Sequence, residues 1–354
     1  MSETEFQVLR ERLDRVLSEF IGERARQLNE IDPVLAAQGE AARALLLAGG
    51  KRLRPAFCYW AWRAAGGPDT SAIIAAAASL ELLHGSAIVH DDVMDGADTR
   101  RGEPAAHRRF ELLHRDSDWR GDSARFGISG AILLGDLLLS WSGQLFRESG
   151  LDAAALARGY PYLDLMRTEV MGGQYLDLVT QSSGSATTEQ AERVLRYKSA
   201  KYSVQRPLHL GAALAGAPDP LLRSLSDYGL PLGEAFQMRD DVLGVFGDPT
   251  VTGKPAGDDL REGKRTVLVT NTLETADDTQ RETFSRLLGE PTMDQDAVRT
   301  MREIIVASGA LARVERRIDQ LTERAATALA SADLAKEPRL ALEDLITAAI
   351  ARTS

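Results

Sequence analysis

Apolar residues recur at intervals of three and four along nearly the whole chain. Phe6, Leu9, Leu13, Val16, Leu17, Phe20 and Ile21 open the series and predict an amphipathic first helix. Residues 41–48 predict a helix stopped by Gly49-Gly50. The next helix is expected to begin near Pro55, a suitable first-turn residue, and to end at Gly66-Gly67-Pro68. Thr70 stands in a cap position before a long Ala-, Leu- and Ile-rich helix running to about Asp95. Further helices are predicted at 124–148, 152–181, 188–215, 219–246, 264–289, 295–309, 311–332 and 337–351. Loops are predicted at 96–122, 182–187 and 247–263. Alternating strand patterns are scarce, and no βαβ rhythm is present. The pattern therefore predicts an all-α fold: one domain over 1–354, a helical bundle packed around a central cavity.

Composition adds limits. The 354 residues are 44% hydrophobic and 27% charged, a globular balance. The net charge of −10 argues against nucleic acid as a partner, though local basic clusters and metal ions would still admit an anionic substrate. The single cysteine, Cys58, excludes an internal disulfide and fits a reducing cytoplasm. No run of 18 apolar residues lacks charge, so no transmembrane segment is expected. Residues 1–12 have no apolar core of the kind a secretory leader needs.

The chemistry concentrates in two acidic segments. The first is His90-Asp91-Asp92-Val93-Met94-Asp95, followed by Arg100-Arg101; the second is Gln237-Met238-Arg239-Asp240-Asp241. On a helix His84, Ile88, Asp91, Asp95 and, less closely, Asp98 share one face. A merely solvated acidic helix end would sit at an N-terminus, where the dipole favours it; these acids sit at a C-terminal end, where it opposes them. A cation is expected to compensate. Oxygen-only donors suit Mg²⁺, held by one or two carboxylates plus substrate phosphates. Two adjacent arginines suit two different anions.

Other segments admit two readings each. Gly49-Gly50-Lys51-Arg52-Leu53-Arg54-Pro55 is either an ordinary basic turn or an anion grip at a helix start; it lacks the Walker A spacing. His84 is either a core histidine or a substrate contact in register with Asp91, while His107, His114 and His209 have no zinc-ligand spacing. Gly172-Gly173-Gln174 suits either simple helix packing or the close approach of another group. One of Lys198 and Lys201 would face inward beside Ser199. Residues 254–266, with Lys254, Asp258, Asp259 and Lys264, read as a solvated loop or as a lid carrying lysines over a phosphate. No Ser/His/Asp or Cys/His nucleophile set emerges, consistent with departure of a diphosphate that needs charge stabilisation instead.

Taken in order, these motifs resemble the trans-polyprenyl diphosphate synthase family. The carrying residues are 50–55, 90–95 with 100–102, 172–174, Lys198, 237–241 and 253–266. The resemblance implies an isoprenoid-synthase helical bundle, usually a homodimer, that binds an allylic diphosphate through three Mg²⁺ ions. It implies Asp91, Asp95 and Asp240 as metal ligands, with Asp92 and Asp241 supporting them. It implies Arg100, Lys198, Gln237, Lys254 and Lys264 at the allylic diphosphate, and Lys51, Arg54, His84 and Arg101 at isopentenyl diphosphate. Ser199 and Gln237 would screen the allylic cation. Dimethylallyl, geranyl and farnesyl diphosphates are the expected allylic partners.

One departure stands out. The family's second motif commonly ends in a third Asp, whereas position 244 is Gly and the next acid is Asp248. Product length is read from the helix before Asp91. Ala87 and Ser86 are small, and Leu83 and Leu80 lie deeper as a floor, which implies geranylgeranyl diphosphate as the product. The alternatives are a longer-chain synthase, a terpene cyclase that would leave Lys51, Arg54 and Arg101 idle, or a non-catalytic subunit of a heteromeric synthase.

Overall fold

The computed structural model describes residues 3–100, 102–247, 257–290 and 292–350. Arg101 and Lys254 lie outside them. The fold is all-α. The helices are α1 (Glu3–Ile31), α2 (Ala36–Leu47), α3 (Leu53–Ala64), α4 (Ser71–Met94), α5 (Ala106–Asp116), α6 (Ser123–Arg147), α7 (Ala153–Ser182) and α8 (Thr188–Val194). After a π-helical segment (Leu195–Gln205) come α9 (Arg206–Leu214), α10 (Asp219–Phe246), α11 (Asp258–Arg261), α12 (Val267–Thr275), α13 (Asp278–Leu287), α14 (Gln295–Ala307), α15 (Ala310–Ser331) and α16 (Lys336–Ile350). The β structure among the described residues is one two-residue antiparallel pair, Thr99–Arg100 with Glu103–Pro104.

Contacts fall into two compact units. The first holds 1–159 and 211–216; the second holds 160–210 and 217–354. In the first, α4 is the central element, with Ile73, Ile74, Leu80, Leu82 and Leu83 fully enclosed. Gly85 lets it pack closely: a Cβ there would lie 2.9 Å from Leu46 Cδ2 and 3.3 Å from Leu138 Cδ1. In the second, α10 and α15 are the main packing pair, around a core that includes Met238, Val242, Val245, Ile318 and Leu321.

Several expectations are corrected. The predicted loop 96–122 contains the short β pair and all of α5. The predicted helix 264–289 is two helices, parted at Ala276–Asp277, where Asp277 and Gln280 form a capping box that starts α13. The predicted helix 188–215 is interrupted by the π segment, and α2 begins at Ala36, ahead of the expected 41. By length and composition α4 and α6 are apolar enough to cross a membrane, although 72% of the relevant stretch of α4 is buried inside the protein and 39% of that of α6.

Candidate active site

The first unit carries the first acidic motif at the end of α4. Asp91 lies in the last turn and Asp95 is the C-cap residue, so their one-turn spacing puts both carboxylates on one side of the helix end. Both are partly exposed, while Asp92 between them is 2% exposed. Asp98 lies beyond the helix. Arg100, on the short β pair, turns back onto this cluster. Its guanidinium grips Asp92 through Nε at 2.9 Å from Oδ1 and through Nη2, and Nη2 lies 3.9 Å from Asp91 Oδ2. The cation expected beside the aspartates is thus supplied in part by the chain itself.

The basic turn before α3 sits in the same unit. Gly49, Gly50 and Arg52 all have left-handed backbone, with φ of 98°, 130° and 49°. Lys51 is exposed and Arg54 partly so, whereas Arg52, Leu53 and Pro55 point inward. The turn therefore sorts its charges by depth: Lys51 and Arg54 reach the surface, and Arg52 is buried. His84 is partly buried on α4, three residues beyond Glu81.

The second unit carries the remaining candidates. On α10, Asp240 is partly exposed and Asp241 is 7% exposed behind it. Gln237 donates from Nε2 to Asp241 Oδ1 at 2.8 Å. Arg239 points elsewhere, into a two-pronged pair with Glu315 at 2.7 and 2.8 Å. Burial pushes the Asp241 carboxyl up to about 8, aided by the negative charges of Asp259 and Asp240 and opposed by Gln237 and Lys264. Asp259 comes from α11. A Cβ added to Gly244 would overlap its carboxylate, with Cγ only 2.7 Å away. Lys264 closes this side, with Nζ 2.6 Å from Glu262 Oε2 and 3.8 Å from Asp259 Oδ1.

Lys198 and Ser199 lie on the π segment, both partly buried. π-helical backbone is often found at functional sites. Here the segment packs closely against two glycines. A Cβ on Gly173 of α7 would lie 2.6 Å from Lys198 Cα, and one on Gly233 of α10 would lie 2.8 Å from Ala200 Cα. Lys198 Nζ donates to Asp177 Oδ2 at 2.6 Å. Lys201 and Arg206 are taken up by Glu169, at 2.6–2.7 Å. Of the two lysines considered, Lys198 is therefore the one beside the glycine pair and Asp177.

Sequence reasoning missed Asp177, Asp259, Arg52 and Glu81 as structural partners of the candidate residues. The available signals were Asp177 one turn after Gly173, and the acidic Asp258-Asp259 pair before Lys264.

Do these donors fit magnesium? Asp91, Asp95 and Asp240 offer hard oxygens, which suits it. Among the described residues no three His, Cys, Asp or Glu side chains form a group able to hold a metal by themselves. Mg²⁺ ordinarily keeps water and substrate phosphate as ligands and needs only one or two carboxylates from a protein. The crowded carboxylates of Asp240, Asp241 and Asp259 are likewise charge that a divalent cation would offset.

Residues 37–305 match the family model described as polyprenyl synthetase. The chain belongs to the polyprenyl synthetase family. It is a prenyltransferase and a trans-prenyl diphosphate synthase. It is 34% identical over 285 residues to the geranylfarnesyl diphosphate synthase of Aeropyrum pernix, covering 79% of this chain and 83% of that one. It is 35% identical over 267 residues to the geranylgeranyl diphosphate synthase of Methanosarcina mazei, covering 75% of each. The crystal structure of a geranylgeranyl pyrophosphate synthase from Corynebacterium glutamicum, complexed with isoprenyl diphosphate and magnesium, superposes with a TM-score of 0.93 at 40% identity, covering 98% of both chains.

Proposed function

We propose that this polyprenyl synthetase condenses isopentenyl diphosphate with allylic diphosphates to make geranylgeranyl diphosphate, using Mg²⁺. What supports this reading is that each compact unit carries a partly exposed acidic motif, Asp91/Asp95 in one and Asp240 in the other, with basic side chains in the same unit. Residues 1–354 are taken as one synthase domain, since the family match runs from 37 to 305 and so includes parts of both units.

In this reading Asp91, Asp95 and Asp240 hold the metal ions, with Asp92 and Asp241 fixed behind them by Arg100 and Gln237. Bound Mg²⁺, three ions on the family pattern, would supply charge neutralisation for the leaving diphosphate. Arg100, Lys198 and Lys264 share that neutralisation as direct phosphate contacts, with Lys254 and Gln237 beside them. The C–O bond to the allylic diphosphate breaks and its electron pair leaves with the diphosphate. Ser199 and the Gln237 amide orient dipoles towards the allylic cation. Lys51, Arg54, His84 and Arg101 hold isopentenyl diphosphate so that its double bond attacks that cation. The departed diphosphate then takes the proton, so no protein base is needed. Positioning two anions in reacting geometry supplies much of the acceleration.

Small Ala87 and Ser86 above Leu83 and Leu80 support a tail of geranylgeranyl length. The relatives named as geranylgeranyl diphosphate synthases agree with that length, while the Aeropyrum pernix relative is a geranylfarnesyl enzyme, one unit longer by name. Homodimer formation is supported by exposed apolar stripes: Ile128, Ile132 and Leu133 on α6, and Met171, Tyr175 and Val179 on α7, with Tyr175 68% exposed. A cytoplasmic setting is supported by the lone, buried Cys58.

The test is an incubation of purified protein with labelled isopentenyl diphosphate, Mg²⁺ and each allylic diphosphate in turn, with dephosphorylated products sized by chromatography. Metal-dependent elongation ending at geranylgeraniol is expected. A later endpoint corrects the length. Turnover of a prenyl diphosphate without isopentenyl diphosphate, or no elongation with any primer, overturns the synthase reading.

A further inference from the structure

We infer that Arg52 is a positioning residue for the isopentenyl diphosphate site, acting through Lys51, Arg54 and His84 without touching substrate. Arg52 is 4% exposed, and its guanidinium uses every edge. Nε donates to Asp14 Oδ1 of α1 at 2.8 Å, Nη2 to the Leu46 carbonyl of α2 at 2.6 Å, and Nη1 to Glu81 Oε2 of α4 at 2.8 Å. One side chain thus fixes the turn at 49–52 to three helices. Its planar fork can span three acceptors at once, which a lysine ammonium on a flexible stem cannot do in the same geometry.

Two features say that this arrangement positions rather than merely fills space. First, Arg52 has left-handed backbone, φ 49° and ψ 37°, which a non-glycine residue adopts at a cost and keeps only where its surroundings over-determine it. Its carbonyl nonetheless accepts the first bond of α3, from Ala56 N at 3.0 Å. Drawing Arg52 inward is what leaves its neighbour Lys51 outward and sets Arg54 in the first turn of α3. Second, the anchor on α4 is Glu81, 4% exposed and one helical turn before His84. The same helix ends in Asp91 and Asp95. The Arg52–Glu81 pair therefore sets the register of the basic turn against the helix that carries both the third isopentenyl contact and the first acidic motif. Error in this register would fall on the isopentenyl side, because Arg100 is held separately, by Asp92.

The inference rests on the reading of Lys51, Arg54 and His84 as the isopentenyl diphosphate grip. Its test measures KM for isopentenyl diphosphate and for the allylic diphosphate separately in three variants, with melting temperature alongside. Arg52→Lys keeps the charge and loses the fork; it should raise the isopentenyl KM about tenfold, since small misplacements cost large factors. The allylic KM should stay within about twofold, as expected when only one substrate's binding is disturbed. Glu81→Gln keeps the shape and should move the same constant in the same direction, which covers the case in which Arg52→Lys does not fold. A core control in the other unit, Phe284→Leu, matched for loss of melting temperature, should move neither constant. Equal rises in both constants, no rise in either, or the same selective rise in the control overturns the inference. Lys51→Ala separates the two layers. If it raises the isopentenyl KM while Arg52→Lys and Glu81→Gln do not, the positioning role falls alone. If Lys51→Ala leaves that KM unchanged, the assignment of the grip falls and the inference with it.

Discussion

The carboxylate of Asp259 occupies the space that a side chain at Gly244 would fill: a Cβ there would stand 2.7 Å from Asp259 Cγ. The acid missing from the end of the second motif is thus replaced in space by one that arrives fifteen residues later, on α11. Asp259→Asn should raise the Mg²⁺ concentration needed for half-maximal activity about tenfold, the scale of losing a group that supports metal ligands. Gly244→Asp alone should be worse, because two carboxylates would compete for one volume. Combining Gly244→Asp with Asp259→Ala, which vacates that volume as Asp259→Asn does not, should recover part of the loss. Magnesium titrations of activity, and of Mg²⁺-dependent melting temperature, check this; a double variant no better than Gly244→Asp would rule it out.

Gly173 and Lys198 are linked by backbone contact, so the outcome of substitution is set by sterics. Gly173→Ala should destabilise by about 2 kcal/mol, because the Cβ meets main-chain atoms that no rotamer change can move. Turnover should fall further than stability alone explains, since the contact fixes where Lys198 stands. Thermal melts and kcat compared at a temperature well below both melting points distinguish the two effects.

The legibility of this molecule follows its periodicity. The register of Asp91 and Asp95 on α4, and of Gln237 and Asp241 on α10, was readable because helical spacing alone fixes which side chains share a face. Helix α5 was not read, because its buried side is His107, Phe110, Glu111 and His114. The spacing of three and four is present, but polar side chains carry it, and Glu111 is buried only because Arg108 and Arg115 neutralise it. The π segment has no local signature at all. It is packed against Gly173 and Gly233, which approach it from two other helices. Arg52 looked like one of three equivalent basic residues, and only the fold distinguishes it from Lys51 and Arg54.

His209 gives an acid-stability prediction. Burial, with help from the Arg206 charge, lowers its pKa to about 4. Arg206 Nη1 lies 2.9 Å from Nδ1 and must donate, so Nε2 carries the proton and donates to Ser226 Oγ at 2.7 Å. Tyr162 packs edge-on against the ring, and Glu169 and Lys201 are the other charges nearby. The folded pKa lies below the unfolded value near 6.5, so the neutral ring's contribution is present above about pH 6.5 and is lost as pH falls through about 4. It amounts to at most roughly 3 kcal/mol. His209→Gln should therefore flatten the decline in melting temperature between about pH 6.5 and 4. A further decline below about pH 4.5 is expected from Glu169, whose carboxyl Arg206 and Lys201 hold below the usual range against the opposing effect of burial. An unchanged acid limb would refute the assignment.

Arg100 has two tasks that mutation can separate. Arg100→Ala leaves the buried carboxylate of Asp92 without its guanidinium and should cost about 3–5 kcal/mol of stability as well as raise the allylic KM. The paired change Arg100→Met with Asp92→Leu removes both charges, and should return most of the stability while leaving the allylic KM high. Melting curves and separate KM values for the two substrates read the two tasks independently. A paired variant with normal allylic KM would mean that Arg100 serves structure alone.

Product length should respond to single residues along one face of α4. Counting back from Asp91, positions 87, 83 and 80 follow at four, four and three residues, so Ala87, Leu83 and Leu80 line up above one another towards the start of the helix. Ala87 is partly buried, and Leu83 and Leu80 are 2% and 1% exposed. A prenyl tail growing away from Asp91 would pass the small residue first and meet the leucines later. Ala87→Phe should then stop elongation early and shift the main product from geranylgeranyl to farnesyl diphosphate, with little change in the first condensation. Leu80→Ala should do the opposite and lengthen the product, at a stability cost of about 2–5 kcal/mol for the cavity it opens. Chromatographic sizing of the dephosphorylated products decides both. If neither variant changes the length, the tail does not run along this face, and the floor must be sought on another helix of the first unit.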